Sequence, residues 1–387
     1  MGRETGSRTK FENLYNTATR GGTTSATLGA ERRLDEGLGL DPLVDPKGLP
    51  HLGPVRMSLP RFDQVGKFWR LTVGLPMPEE TLFDTTASMG DNVDLAFRAL
   101  PRDYDMLTSG SRAVLGRYDV QIATAIFNDV EDRGTALLAR SQFEMADKIA
   151  EQLAMLPPGR DGCGNQKEDP QYGLFAAAYL TAPAILKWGL LPYHFTVSDE
   201  PIATRIQRQL LERLFGEDVL DRIAENGIDI DAADSYSTAE TIDKLQERAH
   251  AFFLHVPGWQ GGSDRVHDQW VELYGEDHVV VLPGSTEYLH YVKTIIIGLT
   301  EGVLDLQSAV SFLKEHELDQ RVAYNIVEAV EHIDLGAQAR RPGFNDIPMA
   351  GALFREKTDT EPLSDDEAAE ALAEAAQSSE DEGPDWL

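Results

Sequence analysis

The sequence predicts an α/β protein: a doubly wound, mostly parallel sheet with helices on both faces, followed by a C-terminal helical extension. Three observations predict it. Between residues 61 and 283, short apolar runs of strand character alternate with amphipathic helical stretches, the arrangement of a mostly parallel sheet covered on both sides. Several strand candidates stop in turns bearing Asp, Ser, Thr or Gly. A strand-to-helix turn puts such side chains at the carboxyl edge of the sheet, where open α/β folds bind ligands. After Gly284 the apolar periodicity is helical only.

Composition narrows the function classes. With 42% hydrophobic residues in 387, the chain has enough apolar material for a sizeable core. Its formal charge of −30, from 65 acidic and 35 basic residues, argues against nucleic-acid binding, which runs on Lys and Arg at phosphates. The same balance argues against docking on anionic membranes. An acidic, Lys-poor surface suggests adaptation to high salt, where self-repulsion is screened; equal stability in low and molar salt would remove that expectation. No apolar run approaches the length of a membrane span. Met1–Lys10 lacks the apolar core of a secretory signal, so a cytoplasmic chain is expected. The single cysteine, Cys163, excludes an intrachain disulfide and a Cys-rich zinc site.

In chain order, residues 1–60 read as an extended, largely irregular arm, punctuated by turns such as Leu38-Gly39-Leu40-Asp41-Pro42. From Arg61 the chain turns apolar through Phe62, Val65, Phe68, Trp69, Leu71 and Val73. Pro76 and Pro78 are expected to break it before a short first core strand at Thr81-Leu82-Phe83. Further strands are expected at Val120–Phe127, Ala136–Phe143, Tyr193–Val197, His250–Val256 and His278–Leu282. Helices are expected over Met145–Leu156, Tyr172–Leu180, Ile202–Phe215 and Ser263–Tyr274, with an acidic surface excursion at 216–241. These segments make a domain of residues 61–283. Residues 284–335 form the helical extension, with stripes through Tyr291, Ile295 and Leu299, through Leu306, Ala309 and Leu313 behind a cap at Asp305, and through Val322, Ile326 and Val330. Residues 336–387 read as an irregular arm and a disordered acidic tail.

The chemistry is concentrated in three loops. Asp84-Thr85-Thr86-Ala87-Ser88-Met89-Gly90 places one carboxylate and two hydroxyls, Asp84, Thr86 and Ser88, on one tight turn. Such oxygens can converge on a hard cation, although Asp, Ser and Thr also favour helix starts for their own sake. The loop Gly162-Cys163-Gly164-Asn165-Gln166-Lys167-Glu168-Asp169-Pro170 allows close backbone approach and then starts a helix. The strand at Tyr193–Val197 ends in Ser198-Asp199-Glu200-Pro201. His250, His255, His267 and His278 have no spacing suited to zinc.

The first turn resembles the metal-ion-dependent adhesion site (MIDAS) of von Willebrand factor type A (VWA) domains, whose D-x-S/T-x-S signature is matched by Asp84, Thr86 and Ser88. The resemblance covers Leu82 to about Leu282 and extends to loop order. It implies that Asp199 is the family's strand-end aspartate and that the Gly-rich loop supplies a further oxygen, commonly a Thr. No Thr is present there, so Asp169 or Asn165 would substitute, directly or through water. The resemblance further implies a bound Mg²⁺ (or Mn²⁺). It implies a protein-interaction module that binds an exposed acidic side chain of a partner, such as an AAA+ ATPase or an assembly subunit. A structural component of a large assembly or virus particle, with a vestigial site, and a metal-dependent hydrolase are the alternatives. Against the hydrolase, no general base pairs with the site, and neither a G-x-S-x-G elbow nor a G-x-x-x-x-G-K-S/T loop is present.

Overall fold

A computed structural model describes residues 27–48, 58–109, 113–132, 134–159, 162, 168–258 and 263–381. In chain order the strands are β1 (Phe62–Val65), β2 (Phe68–Leu71), β3 (Pro76–Asp84), β4 (Asp119–Phe127), β5 (Leu138–Arg140), β6 (Tyr193–Ser198), β7 (Arg205–Gln207), β8 (Ser235–Ser237), β9 (His250–His255), β10 (Val279–Val281) and β11 (Leu353–Phe354). Six of them form the central sheet, in the order β10-β9-β6-β3-β4-β5. All neighbours are parallel except the edge strand β5, which runs antiparallel to β4. Numbered within the sheet alone, this is the order 3-2-1-4-5-6, and the direction of winding reverses between β3 and β6.

Alternation along each strand builds two separate cores. Met77 and Phe83 of β3, Val120, Ile122 and Ile126 of β4, and Phe195 and Val197 of β6 enter one apolar cluster. Leu82, Ala125, Phe127, Ala251 and Phe253 enter the other. Side chains of a strand point to opposite faces with a period of two, so both faces of this sheet are covered. The two rims of the sheet also carry contacts. His332 Nε2 lies 2.9 Å from the Val279 carbonyl oxygen of β10, and the backbone N–H of Arg140 in β5 donates to the Val44 carbonyl (2.9 Å).

Several expectations need correction. Pro76 and Pro78 do not break the chain but lie within β3, which is nine residues long and buried throughout. Pairing explains it. β3 pairs with β4 along its whole length but with β6 only over Glu79–Phe83. Residues 76 and 78 share one side of the ladder, and the β6 side is unpaired at that register, so the missing N–H groups forgo nothing. The predicted boundary at 283 also falls inside a continuous core. The helix Leu289–Glu301, with Ile295, Ile296, Ile297 and Leu299 wholly buried, packs into the same cluster as β3, β4 and β6, as do Phe312, Leu313 and Ile326 of the next two helices. Residues 284–335 are therefore part of the α/β unit. The N-terminal arm contains a helix, Leu28–Asp35. The acidic tail is helical over Asp365–Asp381, and β11 joins the β1–β2 hairpin in a separate three-stranded sheet. The excursion after β6 is pinned by a two-stranded ribbon of β7 and β8.

The central strand carries two buried glutamates, and each has a cation on its own side. Glu80 takes Arg140, whose Nη2 donates to Glu80 Oε2 at 3.0 Å. Burial would raise the Glu80 carboxyl, but the Arg140 guanidinium, with His194 beside it, overrides burial and holds it down at about 2. A carboxyl depressed below its unfolded value stabilises the fold above the unfolded pKa, and that stability is lost as pH falls towards the folded one. Urea denaturation should therefore show wild-type stability falling by about 3 kcal/mol between pH 4.5 and 2 from this group. Glu80→Gln should lack that part of the slope; an unchanged slope would sink the assignment.

Candidate metal centre

The site begins where β3 stops. Asp84 is the last residue of the strand, and Thr85 then ties the turn to the end of β4. The backbone N–H of Thr85 donates to the Phe127 carbonyl (3.2 Å), and its hydroxyl donates to Asn128 Oδ1 (2.9 Å). With Thr85 directed to β4, the alternate residues form a cluster of their own. The Thr86 N–H and hydroxyl both donate to Asp84 Oδ1, at 2.9 and 2.6 Å. A short 3₁₀ turn over Ala87–Met89 brings Ser88 Oγ to 3.1 Å from Thr86 Oγ1. Gly90, at φ +50°, turns the chain into the helix Asn92–Ala99, a backbone conformation that side chains resist.

The predicted strand-end aspartate arrives from β6, the direct neighbour of β3. Ser88 Oγ donates to Asp199 Oδ1 (2.9 Å) across 111 positions of sequence, and Ser198 Oγ donates to Asp84 Oδ2 (2.6 Å). Asp84, Thr86, Ser88 and Asp199 are thus linked in one hydrogen-bonded array, at the edge where the sheet order reverses. Asp84 and Thr86 are fully buried, Asp199 is half-buried, and Ser88 is exposed. The array forms a buried acidic floor with a solvent-facing rim.

Its electrostatics are one-sided. Burial and then the Asp199 charge push the Asp84 carboxyl up to about 7, against the bonds from Ser198 and Thr86. Burial raises Asp199 as well, opposed by Ser88. Glu200 is raised by burial and by Asp199. Among the described residues, the groups that act most strongly on Asp84 include no cation. Buried carboxylates without a counter-charge are costly, and a divalent ion would invert that local balance.

The Gly-rich loop departs from expectation. Asn165 and Cys163 lie outside the described residues. Asp169, expected as a further oxygen ligand, has both carboxylate oxygens engaged elsewhere. Oδ2 accepts from the Val130 N–H (2.9 Å) and Oδ1 from Gln171 Nε2 (2.5 Å), so Asp169 fastens the β4 exit to the following helix. The acid this loop directs to the array is its neighbour Glu168, with Thr86 in hydrogen-bonding reach and the Asp84 charge close by. Gly162 lies against the first turn, where an added Cβ would meet that of Ala87 at 3.3 Å. Sequence reasoning missed Glu168 and Ser198. The signal for Ser198 was present, a hydroxyl next to the strand-end acid. Glu168 had only its proximity to Asp169-Pro170.

The residues suit a hard divalent ion. The oxygens of Asp84, Thr86, Ser88 and Asp199 stand 2.6 to 3.1 Å apart in sequence along the array. Adjacent ligands of a six-coordinate Mg²⁺ with bonds of about 2.1 Å are about 3 Å apart, so the spacing that hydrogen bonds impose here also fits that shell. The donors would be mixed. Among the described residues no three His, Cys, Asp or Glu side chains converge to hold an ion unaided. Asp84, Thr86, Ser88 and Asp199 would hold the ion, and hydroxyl and carboxylate oxygens favour Mg²⁺ or Mn²⁺ over softer metals.

No family model and no curated protein matches the chain. Among solved structures it is similar to the pilus adhesin SpaC from Lactobacillus rhamnosus GG, with a TM-score of 0.39 and 11% identity, over 62% of this chain and 34% of that one. It is also similar to proximal thread matrix protein 1 from the mussel byssus, with a TM-score of 0.34 and 12% identity, over 59% of this chain and 46% of that one. The chain spans less than half the length of either, and at these scores neither defines a family for it. Among the described residues no helix is long and apolar enough to cross a membrane.

Proposed function

We propose that this chain is a Mg²⁺-dependent protein-interaction module of VWA type. In this reading it is an adaptor or assembly component that binds an acidic side chain of its partner through a MIDAS ion. The observation that carries the reading is the Ser88–Asp199 hydrogen bond, which joins the two loops the signature requires. The doubly wound form of the domain is supported by the strand order and by the two separate cores. In such sheets the crevice at the point of reversal is the general ligand site, and here that point lies between Asp84 and Asp199.

When bound, the ion supplies the positive charge and the open coordination position that the side chains lack. The chain's own residues do the rest. Thr86 and Ser88 would contribute neutral oxygens, leaving positive charge at the site to attract a carboxylate from outside. Ser198 holds Asp84 in place from the neighbouring strand, and Thr85 fixes the turn against β4. The exposed rim at Ser88 is the side from which a partner approaches.

Two measurements test the proposal. Titration calorimetry with Mg²⁺ or Mn²⁺ should show one site on the full chain. A pull-down should retain a partner in Mg²⁺ and lose it in EDTA. A chain that takes up neither ion, or a partner held equally well in EDTA, would remove the reading. Self-assembly indifferent to EDTA would favour a purely structural role.

A further inference from the structure

The Gly-rich loop brings to the site a buried carboxylate with one oxygen left unpartnered among the described residues. Glu168 is only 7% exposed, and among the described residues its Oε2 has no hydrogen-bond partner. Its backbone is fixed from the far side of the site. The N–H donates to the Pro201 carbonyl (3.2 Å), and residue 168 forms a parallel bridge with Ile202, just beyond Asp199. The next residue, Asp169, fastens the same segment to the β4 exit through Val130. The side chain is therefore presented from a pinned position between the ends of β4 and β6. Among the described residues, the Asp84, Asp129 and Asp132 charges press on it after burial, and the Thr86 hydroxyl relieves it. Among the described residues no basic side chain pairs with Glu168, which adds a further acid beside the buried Asp84 and the half-buried Asp199. A cation at the Asp84–Ser88–Asp199 array would offset these charges.

We propose that Glu168 is the donor that the Gly-rich loop supplies to the metal centre, acting from the outer shell of the ion. The inference rests on the metal reading above and assigns a residue that the signature does not name. The outer shell follows from two facts. Glu168, Asp84 and Asp199 do not close into a three-acid cage, and Mg²⁺ dehydrates reluctantly and keeps several waters for neighbouring acceptors to take up. Partners of this kind orient a metal's ligands, and their loss weakens binding by about 10- to 100-fold.

Glu168→Gln keeps the size and shape of the side chain and removes its charge. Calorimetry with Mn²⁺ on the full chain should show affinity about 10- to 100-fold below wild type, with Asp84→Asn as the no-binding control. Thermal unfolding in EDTA should show the Gln variant at or above the wild-type midpoint, because the amide keeps the shape of the side chain and cannot ionise beside Asp84. A structural role predicts the opposite: a lower midpoint in EDTA and unchanged Mn²⁺ affinity. Mn²⁺ affinity within twofold of wild type would overturn the role of Glu168 and leave the array standing. Failure of the wild-type chain to bind Mn²⁺ would take both readings down together.

Discussion

Asp84→Asn should abolish Mg²⁺ binding while leaving the metal-free protein as stable as wild type or more so. The carboxylate accepts from the Thr86 N–H, the Thr86 hydroxyl and the Ser198 hydroxyl. An amide of the same shape can retain part of that pattern, so the turn should survive. What disappears is the charge. Asp84 is wholly buried, and burial and then the Asp199 charge both oppose its ionisation, so without metal that ionisation works against folding. With metal the sign reverses, because Asp84 is then the most buried ligand of a divalent ion. Wild type should gain about 2.7 kcal/mol when free Mg²⁺ reaches 100 times its dissociation constant. The Asn variant, with affinity lowered at least about 100-fold, should gain no more than about 0.4 kcal/mol at the same concentration. Thermal scans with EDTA and with graded Mg²⁺ give both readings. An Asn variant that retains the Mg²⁺-dependent rise would refute the metal assignment of the turn.

Removing the charge of Lys293 should cost more than any surface change. Its ammonium is 1% exposed, at 2.5 Å from Asp103 Oδ2, 2.9 Å from Glu79 Oε1 and 2.6 Å from Thr81 Oγ1. Burial alone would lower its pKa, but the two carboxylates raise it above its ordinary value. Burial pushes the Asp103 carboxyl up to about 7, with Lys293 pulling it down and Glu79 pushing it further up. Lys293→Met fits the volume and leaves two buried acids facing each other without a cation. Breaking a buried pair in this way costs about 3–5 kcal/mol, because the uncompensated charge remains. Adding Glu79→Gln and Asp103→Asn to Lys293→Met should recover much of the loss, since an uncharged cluster no longer needs the ammonium. Urea denaturation of the single and triple variants measures both. A loss below about 1 kcal/mol in the single variant would mean that Lys293 is not the counter-charge of this core.

Much of this site could be read in the sequence because its parts are local. The D-x-T-x-S turn defines three oxygens within five residues, and strand-end residues such as Asp199 are marked by the apolar run before them. The strand candidates from Val120, Tyr193, His250 and His278 agree with β4, β6, β9 and β10 to within a residue or two. What could not be read depends on contacts distant in sequence. Pro76 and Pro78 are tolerated only because β6 is paired with β3 from Glu79 onward. Glu168 owes its place to the bond with Pro201, and Asp169 is diverted by Val130; neither partner is adjacent in the chain. The stripe through Ile295 and Leu299 announced a buried helix face without naming what it meets, so a core helix passed for an appendage. Glu79 and Lys293, more than 200 residues apart, gave no hint that they neutralise each other.

The contacts on the two outermost strands limit how this protein can be joined. His332 takes a carbonyl oxygen of β10, and the Val44 carbonyl takes an N–H of β5. Sheet rims that are left bare recruit foreign strands, which is how many chains aggregate or lengthen into ribbons. Here a newcomer would first have to dislodge a piece of this same chain at either flank. Along this sheet, backbone annealing would therefore have to compete with contacts that the chain already makes with itself.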